Sequence, residues 1–364
     1  MALLATRAVS ERTPPSPEVI EPRADERLDE ARVGAFLEGK IEGATGTPEI
    51  WQFPGGHANL TYLIRYPAVE LVLRRPPHGD LAPGSHDMSR EYRVLSKLYQ
   101  AFPPAPRAYV FCEDPAVVGA PFFVMERRHG VVVRRDVPAQ FGSGQDPAQN
   151  RKLSTVIIDT LVDFHAVDYA RVGLAQLGKP DGFLHRQVTG WTGRWQRAKT
   201  KELPVADAVI AWLQEAMPVS PAPTLVHNDW RLDNMAVDAA DPGRAVAVYD
   251  WDMCTLGDPL TDLGTLLSSW YEPGEKFDFL SPMPSRTPSF MRRDEAIARY
   301  GERSGRDVSC MPYYWIFGLF KMAVVVQQLF YRYHQGQTQD DRMAGGDLVA
   351  EEMIKLAHAQ IETA

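Results

Sequence analysis

The densest group of polar side chains lies in the run Val-His-Asn-Asp-Trp-Arg-Leu-Asp-Asn at residues 226–234. Apolar residues on both sides of this run, Leu225–Val226 and Ala245–Tyr249, predict two short strands flanking a polar loop. Asp229 and Asn234 should therefore share one loop, with Asp250 at the end of an adjoining strand. The side-chain oxygens of Asn234 and Asp250 suit Mg²⁺, which takes one or two carboxylates together with water and phosphate oxygens.

A third carboxylate in this cluster could carry out proton chemistry. Asp229 precedes Asn234 by five positions, and it could receive a proton from an attacking hydroxyl group. Phosphoryl transfer requires metal ions across the phosphates, an in-line nucleophile and a residue that orients this nucleophile. The cluster therefore indicates phosphoryl transfer, whereas a solvated Asp-rich turn is the usual explanation for such a loop when it occurs alone.

The order of these residues resembles that of a known family. H-N-D-W-R-L-D-N followed by Y-D-W-D resembles the H-x-D-x-x-x-x-N and D-W-[DE] motifs of the aminoglycoside phosphotransferase family, which is itself similar to the protein kinases. The resemblance implies ATP and Mg²⁺ as cofactors. It also implies that Asp229 is catalytic, that Asn234 and Asp250 hold the metal ion, and that the acceptor is the hydroxyl group of a small molecule.

The front of the chain resembles the nucleotide-binding part of the same family. The loop at residues 53–59 resembles the segment that covers the phosphates, which implies contacts from Gly55, Gly56 and Asn59. Arg74 occupies the position of the kinase β3 lysine, and Glu91 matches the glutamate that pairs with it. Arginine is always charged and can bind phosphate in a bidentate way, but it departs from the usual lysine, and whether it fully replaces lysine is left open.

The adenine-binding segment is similar as well. Residues 122–128, with the sequence FFVMERR, resemble the hinge that receives adenine through backbone groups. The resemblance implies nucleotide contacts from Met125, Glu126 and Arg128.

Four further short segments of the sequence resemble one branch of this family in particular. Residues 53–56, 72–77, 90–95 and 231–234 look like the phosphotransferase domains fused to certain acyl-CoA dehydrogenases. This branch implies a hydroxyacyl-CoA type of acceptor. An aminoglycoside, choline or homoserine kinase remains an alternative, and so does a non-catalytic nucleotide-binding pseudokinase, which the Arg74 departure favours.

The distribution of predicted elements indicates an α+β fold of two lobes that is protein-kinase-like. Strands at Leu60–Tyr66 and Glu70–Arg74, a helix at Ser89–Phe102 and a strand at Pro121–Glu126 predict a small antiparallel-sheet N-lobe with one helix. Helical spacing at Asn150–Val167 and from Thr261 onward predicts a larger, mainly helical C-lobe. We expect a flexible or loosely docked N-terminal arm at 1–27, the N-lobe at 28–124, a hinge at 125–130 and the C-lobe at 131–364.

Composition excludes some functions. The 364 residues carry a formal net charge of −8, which argues against a nucleic-acid partner because such proteins normally present a basic face. The apolar stretch Met311–Phe320 ends at Lys321, short of the roughly 20 residues that span a bilayer, so no membrane partner is expected. Three widely separated cysteines favour a reducing, cytoplasmic location. The oligomeric state and the identity of the acceptor stay open.

Several polar residues near the motifs have structural interpretations. We expect His227 to order its loop, His165 to be a hydrogen-bonded core histidine, and Asp258 and Asp262 to fix the catalytic loop and begin a helix. The roles of Asp233 and Asp252 are left unassigned.

Overall fold

The computed structural model describes residues 12–54, 59–77, 87–275, 283–338 and 340–362. Its contacts divide the chain into two compact units. The first unit comprises Met1–Ser96 and Pro106–Arg128, and the second comprises Lys97–Ala105 and His129–Ala364.

The first unit is built on one antiparallel sheet. Its strands are β1 (Glu49–Gln52), β2 (Leu60–Arg65), β3 (Glu70–Arg75), β4 (Ala108–Cys112) and β5 (Phe122–Glu126), in the order β1-β2-β3-β5-β4. The predicted β2 and β3 strands and the apolar β5 strand are confirmed. Because β3 lies between β2 and β5, Val72 pairs with Leu63 on one side and with Met125 on the other.

Three helices pack on this sheet, namely α1 (Glu30–Leu37), α2 (Met88–Leu98) and the short α3 (Pro115–Val118). Helix α1 packs with Leu71 and Leu73 of β3, whereas Glu91 of α2 pairs with Arg74, whose side chain lies on the face opposite α1. The sequence predicted only α2, so the small lobe has two more helices than expected. Helix α1 begins after Asp29, whose carboxylate accepts the backbone N–H of Arg32 at 3.0 Å. Val33 and Leu37 bury α1 against the sheet residues of the core.

The described part of the N-terminal arm lies against the face of the sheet opposite α1. Ile20 forms an antiparallel bridge with Gln52, and Val19 packs in a buried cluster with Trp51 and Leu63. Arg12 adds an ion pair to Glu30 at 2.8 Å. The arm is therefore docked on the first unit from residue 12 onward, while residues 1–11 lie outside the described residues.

The second unit combines two small antiparallel strand groups with seven helices in its described part. One group has the order β6 (Val131–Val132), β8 (Met235–Val237), β9 (Ala245–Val248), and the other pairs β7 (Thr224–Val226) with β10 (Thr255–Gly257). The helices are α4 (Pro147–His165), α5 (Phe183–Ala198), α6 (Pro204–Glu215), α7 (Leu260–Ser268), α8 (Arg293–Ser304), α9 (Met311–His334) and α10 (Gly346–Ile361). The expectation of a mainly helical second lobe is confirmed.

Helices α7 and α9 approach each other very closely. A Cβ atom on Gly264 would lie 2.2 Å from the backbone oxygen of Tyr314, and one on Gly318 would lie 2.3 Å from the oxygen of Gly264. Only glycine at both positions permits this separation. The two helices consequently form one rigid support beneath the loop that follows β7.

Helix α9 continues well beyond the apolar stretch seen in the sequence. It is long and apolar enough, by length and composition alone, to cross a membrane, and 67% of its most apolar window is buried inside the protein. Lys321 does not end it but lies near its middle and is buried. Burial of this kind is typical of the central helix of a folded core.

Candidate active site

The catalytic-loop residues lie between β7 and β8 of the second unit. Asp229 is half-buried, and a short 3₁₀ turn at Leu232–Asn234 leads from it into β8. The side-chain amide of Asn234 donates to the Asp229 backbone oxygen at 2.9 Å and to Asp229 Oδ2 at 2.8 Å. The structure thus joins the predicted proton acceptor directly to a predicted metal ligand.

The pairing of β8 with β9 brings the second predicted metal ligand to the same end of the sheet. Met235 is opposite Val248, and the N–H of Tyr249 donates to the oxygen of Asn234 at 2.8 Å. Asp250 follows Tyr249 at once, in the left-handed region with a φ of 65°. At this turn the chain leaves β9, at the same end of the strand pair where Asn234 ends the catalytic loop and β8 begins.

The donor set fits a magnesium ion. Because the Asn234 amide nitrogen is engaged with Asp229, its Oδ1 atom is the one that could bind a metal ion, together with the half-buried carboxylate of Asp250. One carboxylate and one amide oxygen form the kind of incomplete protein shell that Mg²⁺ completes with water and phosphate oxygens. The described residues contain no cluster of three or more His, Cys, Asp or Glu side chains of the kind that would enclose a metal fully.

Asp262, in the first turn of α7, holds the start of the catalytic loop. Its Oδ2 accepts the backbone N–H of His227 at 2.6 Å, and its Oδ1 accepts that of Asn228 at 2.7 Å. His227 Nε2 in turn contacts the Tyr249 oxygen at 3.0 Å, so the predicted ordering role of His227 is confirmed. Burial alone would raise the pKa of Asp262, but bonds from His165 and His227 lower it on balance, which keeps this carboxylate ionised.

His165 lies beneath Asp262 as a buried, hydrogen-bonded residue. Its Nε2 is 3.3 Å from Asp262 Oδ2, and its Nδ1 is 2.8 Å from the hydroxyl of Tyr300. Burial lowers the pKa of His165 despite the neighbouring carboxylate. A neutral ring that donates from Nε2 and accepts from Tyr300 satisfies all three groups, so the expected core histidine is confirmed.

Arg231 is a charged residue of the loop to which the sequence analysis gave no role. Its guanidinium forms two bonds of 2.9 Å to the carboxylate of Asp233, which gives the previously unassigned Asp233 a partner. Burial alone would lower the pKa of Arg231, but Asp233 and then Asp229 raise it. In the sequence, the position of Arg231 two residues after Asp229 was the available indication that it belongs to the site.

The first unit contains the predicted Arg74–Glu91 pair. Arg74 lies in β3 between Thr61 of β2 and Phe123 of β5, and its guanidinium is 2.9 Å from the Glu91 carboxylate. The two side chains are only 10% and 1% exposed. The expected internal ion pair is confirmed, and its contact with phosphate stays a prediction.

The remaining predicted nucleotide residues are only partly described. Gly55 and Gly56 lie outside the described residues, and Asn59 is buried just before β2. Met125 is buried in β5, and Glu126 accepts the N–H of Arg107 at 3.2 Å while pairing with Arg128 at 3.0 Å. These side chains stabilise the first unit, and their adenine contacts stay predictions.

Comparison with known proteins gives consistent matches. A family model described as "Phosphotransferase enzyme family" matches residues 49–305. Mouse acyl-CoA dehydrogenase family member 10 is 30% identical over 86% of this chain, and human member 11 is 28% identical over 87%. The chain spans only 29% and 40% of the length of these two relatives.

Solved structures share the fold. A Ralstonia eutropha protein, provisionally named as an aminoglycoside phosphotransferase, has a TM-score of 0.80 and 28% identity, covering 93% of this chain and 99% of its own. Aminoglycoside phosphotransferase APH(4)-Ia, solved as a ternary complex with AMP-PNP and hygromycin B, has a TM-score of 0.60 and 15% identity, covering 91% and 99%. The predicted protein-kinase-like fold is therefore confirmed.

Proposed function

The chain belongs to the phosphotransferase enzyme family, and we propose that it transfers the γ-phosphate of ATP to a hydroxyl group of a small molecule with the help of Mg²⁺. One observation carries this proposal. The Asn234 amide binds the Asp229 carboxylate at 2.8 Å, while the Asn234 backbone oxygen accepts the N–H of Tyr249, the residue before Asp250. A carboxylate suited to accept a proton and two oxygen donors suited to a metal ion thus lie at one end of a strand pair, which is the arrangement that metal-assisted phosphoryl transfer requires.

Each of the three residues has a distinct role in the proposed reaction. Asn234 Oδ1 and the Asp250 carboxylate would hold the metal ion, which when bound neutralises charge on the phosphate oxygens. Asp229 orients the acceptor hydroxyl and accepts its proton as the new oxygen–phosphorus bond forms. The bond between the γ-phosphorus and the bridging oxygen breaks in the same step, and ADP leaves.

Residues of the first unit would bind the nucleotide. The Arg74 guanidinium, steadied by Glu91 at 2.9 Å, supplies a fixed positive charge for the α- and β-phosphates. Backbone groups near Glu126 and Arg128, at the end of β5, would receive adenine. The neighbour structure solved with AMP-PNP supports the use of ATP in this fold.

We further propose that the acceptor is an anionic hydroxy compound of the hydroxyacyl-CoA type. The curated relatives are named acyl-CoA dehydrogenase family members, and this chain matches less than half of each. A phosphotransferase unit attached to such an enzyme would act on a substrate that the rest of the protein then handles. The acceptor named for APH(4)-Ia, hygromycin B, belongs to a protein that shares only 15% identity.

The charges near the catalytic loop agree with an anionic acceptor. The guanidinium of Arg194 in α5 lies 4.3 Å from the ring centre of Trp191, and burial and the nearby charge of Arg197 lower its pKa. The same ring lies 5.7 Å from Lys321 Nζ, which bonds to the residue before Asp229. Arginine exposed on an aromatic ring in this way suits a phosphate or carboxylate ligand.

The arginines of α8, by contrast, give no support for an anionic acceptor. Arg299 pairs with Asp159 of α4 at 2.6 Å, Arg303 reaches Asp159 at the same distance, and Arg293 pairs with Glu275. These cations are already neutralised by nearby carboxylates. Arg299 and Arg303 link α8 to α4, and Arg293 links the start of α8 to the segment after α7.

The test is a coupled ADP-release assay with ATP and Mg²⁺ across hydroxyacyl-CoAs, aminoglycosides, choline and homoserine. The proposal expects release with hydroxyacyl-CoAs, its loss in Asp229→Asn, and a raised KM for the CoA ester alone in Arg194→Gln. Release with a polycationic aminoglycoside instead would reject the anionic acceptor but keep the reaction. Magnesium–ATP binding without release for any acceptor would favour a non-catalytic nucleotide-binding protein.

A further inference from the structure

Lys321 is a buried lysine that binds the catalytic loop from a helix far along the chain. Its Nζ atom donates to the backbone oxygen of Asn228 at 2.6 Å and lies 3.5 Å from Thr265 Oγ1 in α7. The residue is only 6% exposed. No carboxylate of a described residue forms an ion pair with Lys321. The main polar partner of this buried lysine is therefore the carbonyl group of Asn228. Burying an amino group in this way is costly, and its hydrogen bond to the Asn228 oxygen offsets part of that cost.

The residue that Lys321 holds has a left-handed backbone. Asn228 has a φ of 67°, in a region that residues other than glycine seldom adopt and that asparagine tolerates better than most. Its N–H donates to Asp262 at 2.7 Å, and its side-chain amide donates to the Met253 oxygen at 2.9 Å. With Lys321 on its oxygen, both backbone polar groups of Asn228 are bound by side chains from two different helices.

The packing of those helices explains how both side chains reach one residue. Asp262 belongs to α7 and Lys321 to α9, and the helices meet at Gly264 and Gly318 with no room for a side chain. Gly318 precedes Lys321 by three positions and Gly264 follows Asp262 by two, so the contact lies next to both groups. The left-handed conformation of Asn228 is thus held from two sides, because one helix binds its N–H and the other binds its oxygen.

We propose that Lys321 is a positioning residue: by holding the Asn228 carbonyl it fixes the left-handed peptide and thereby the direction of the Asp229 carboxylate. This inference rests on the proposed function, because it assumes that Asp229 is the proton acceptor. Burial lowers the pKa of Lys321, whereas Asp229 and Asp262 act to raise it and Arg194 acts to lower it further. These three charged groups come from the catalytic loop, α7 and α5, so the ammonium group is electrostatically coupled to the site that it positions.

The first test separates positioning from folding. Lys321→Met removes the amino group but keeps most of the length of the side chain, and it should lower kcat by about 10²-fold, the cost of a misplacement near 1 Å, while KM for ATP is unchanged. Lys321→Arg keeps a cationic donor and should recover much of the lost kcat. Lys97→Met is the matched control, because Lys97 also donates to a backbone oxygen, that of Gly173 at 2.7 Å, but away from the loop. A Lys321→Met enzyme with wild-type kcat would overturn the proposal.

A second measurement does not depend on turnover. In hydrogen exchange followed by mass spectrometry, a peptide covering residues 227–231 should exchange faster in Lys321→Met than in the wild type or Lys97→Met. Unchanged exchange in this peptide would reject the positioning role even if the enzyme is active. Faster exchange in a protein that shows no turnover with any acceptor would keep the role of Lys321 in holding the loop and reject only the proposed function.

Discussion

Asn234 donates its side-chain amide to Asp229 twice, to the backbone oxygen at 2.9 Å and to Oδ2 at 2.8 Å. These two bonds fix the rotation of the Asn234 amide and leave its Oδ1 as the atom that would bind the proposed metal ion. They also hold one oxygen of the Asp229 carboxylate, so that the other oxygen is the one that would face an acceptor hydroxyl in the proposed reaction. The proposed proton acceptor and the proposed metal ligand therefore orient each other.

Asp229→Asn should separate catalysis from nucleotide binding. The amide keeps the size of the side chain but cannot accept a proton, and loss of general-base assistance should lower kcat by about 10²–10⁴-fold. Steady-state kinetics would measure kcat, and calorimetry would measure ATP affinity, which should be largely unchanged. Turnover close to that of the wild type would show that Asp229 is not the proton acceptor.

Asp250→Asn and Asp250→Ala should remove magnesium-dependent turnover. The φ of 65° at this position is better tolerated by asparagine than by alanine, so the first variant tests the carboxylate with little added strain. A magnesium titration of ADP release should reveal no saturable activity in either variant. Asp241→Asn, an exposed change on the same β8–β9 hairpin, is the control and should behave as the wild type. A normal magnesium response in Asp250→Asn would assign the metal to other ligands.

The parts of the site that depend on local sequence were predictable. The apolar strand before Asp250 and the five-residue step from Asp229 to Asn234 predict a loop beside a strand end, and β8 and β9 pair in that way. Arg74 and Glu91 were matched through their positions on a strand and the following helix, and their 2.9 Å contact agrees.

Contacts that depend on tertiary packing were not predictable. Lys321 is separated from Asn228 by 93 positions, and in the sequence it looked like the end of an apolar stretch. The Gly264–Gly318 contact that brings α7 and α9 together leaves no periodic signal, because an isolated glycine in a helical pattern has many explanations. Helix α1 was missed because it has only eight residues and buries few apolar side chains.

Removing the carboxylate of the buried ion pair should destabilise the first unit. Glu91→Gln deprives the 10%-exposed Arg74 of this partner, and breaking a buried pair in this way costs about 3–5 kcal/mol of unfolding free energy. Denaturant unfolding would measure the change, and KM for ATP should rise because Arg74 is no longer held. Glu49→Gln breaks the exposed pair with Arg65 in the same sheet and should cost only about 0–1 kcal/mol. Equal losses in the two variants would contradict a structural role for the buried pair.

Gly318→Ala should weaken both the fold and the reaction. The new methyl group would lie 2.3 Å from the Gly264 oxygen, and because that atom belongs to a helix backbone, α7 and α9 must separate. Overpacking of this kind costs about 1–3 kcal/mol, and the shift of Asp262 and Lys321 should lower kcat as well. Gly190→Ala provides the contrast: this α5 glycine has nothing within 4 Å of an added Cβ, so stability should be unchanged or rise by about 0.5–1 kcal/mol. A neutral Gly318→Ala would mean that the two helices can separate without cost.

The buried His165 should make the second unit sensitive to mild acid. Its pKa in the folded protein lies below the ordinary value of 6.5, because burial disfavours the charged ring, so the unfolded chain binds more protons in the interval between the two values. The unfolding free energy should therefore rise with pH up to about 6.5 and fall on acidification below it. Protonation would also place a second proton on a ring whose Nδ1 accepts from Tyr300, which breaks that bond. Asp262, whose pKa is lowered from 3.8, changes the unfolding free energy only in a more acidic pH range, which does not overlap the range of His165.

Denaturant unfolding at a series of pH values would measure this dependence. The slope of unfolding free energy against pH should flatten in His165→Gln and persist in His185→Gln, a change at an exposed position of α5. A slope that is the same in all three proteins would mean that His165 is not the group that titrates, and that its ring accommodates a proton in the folded core.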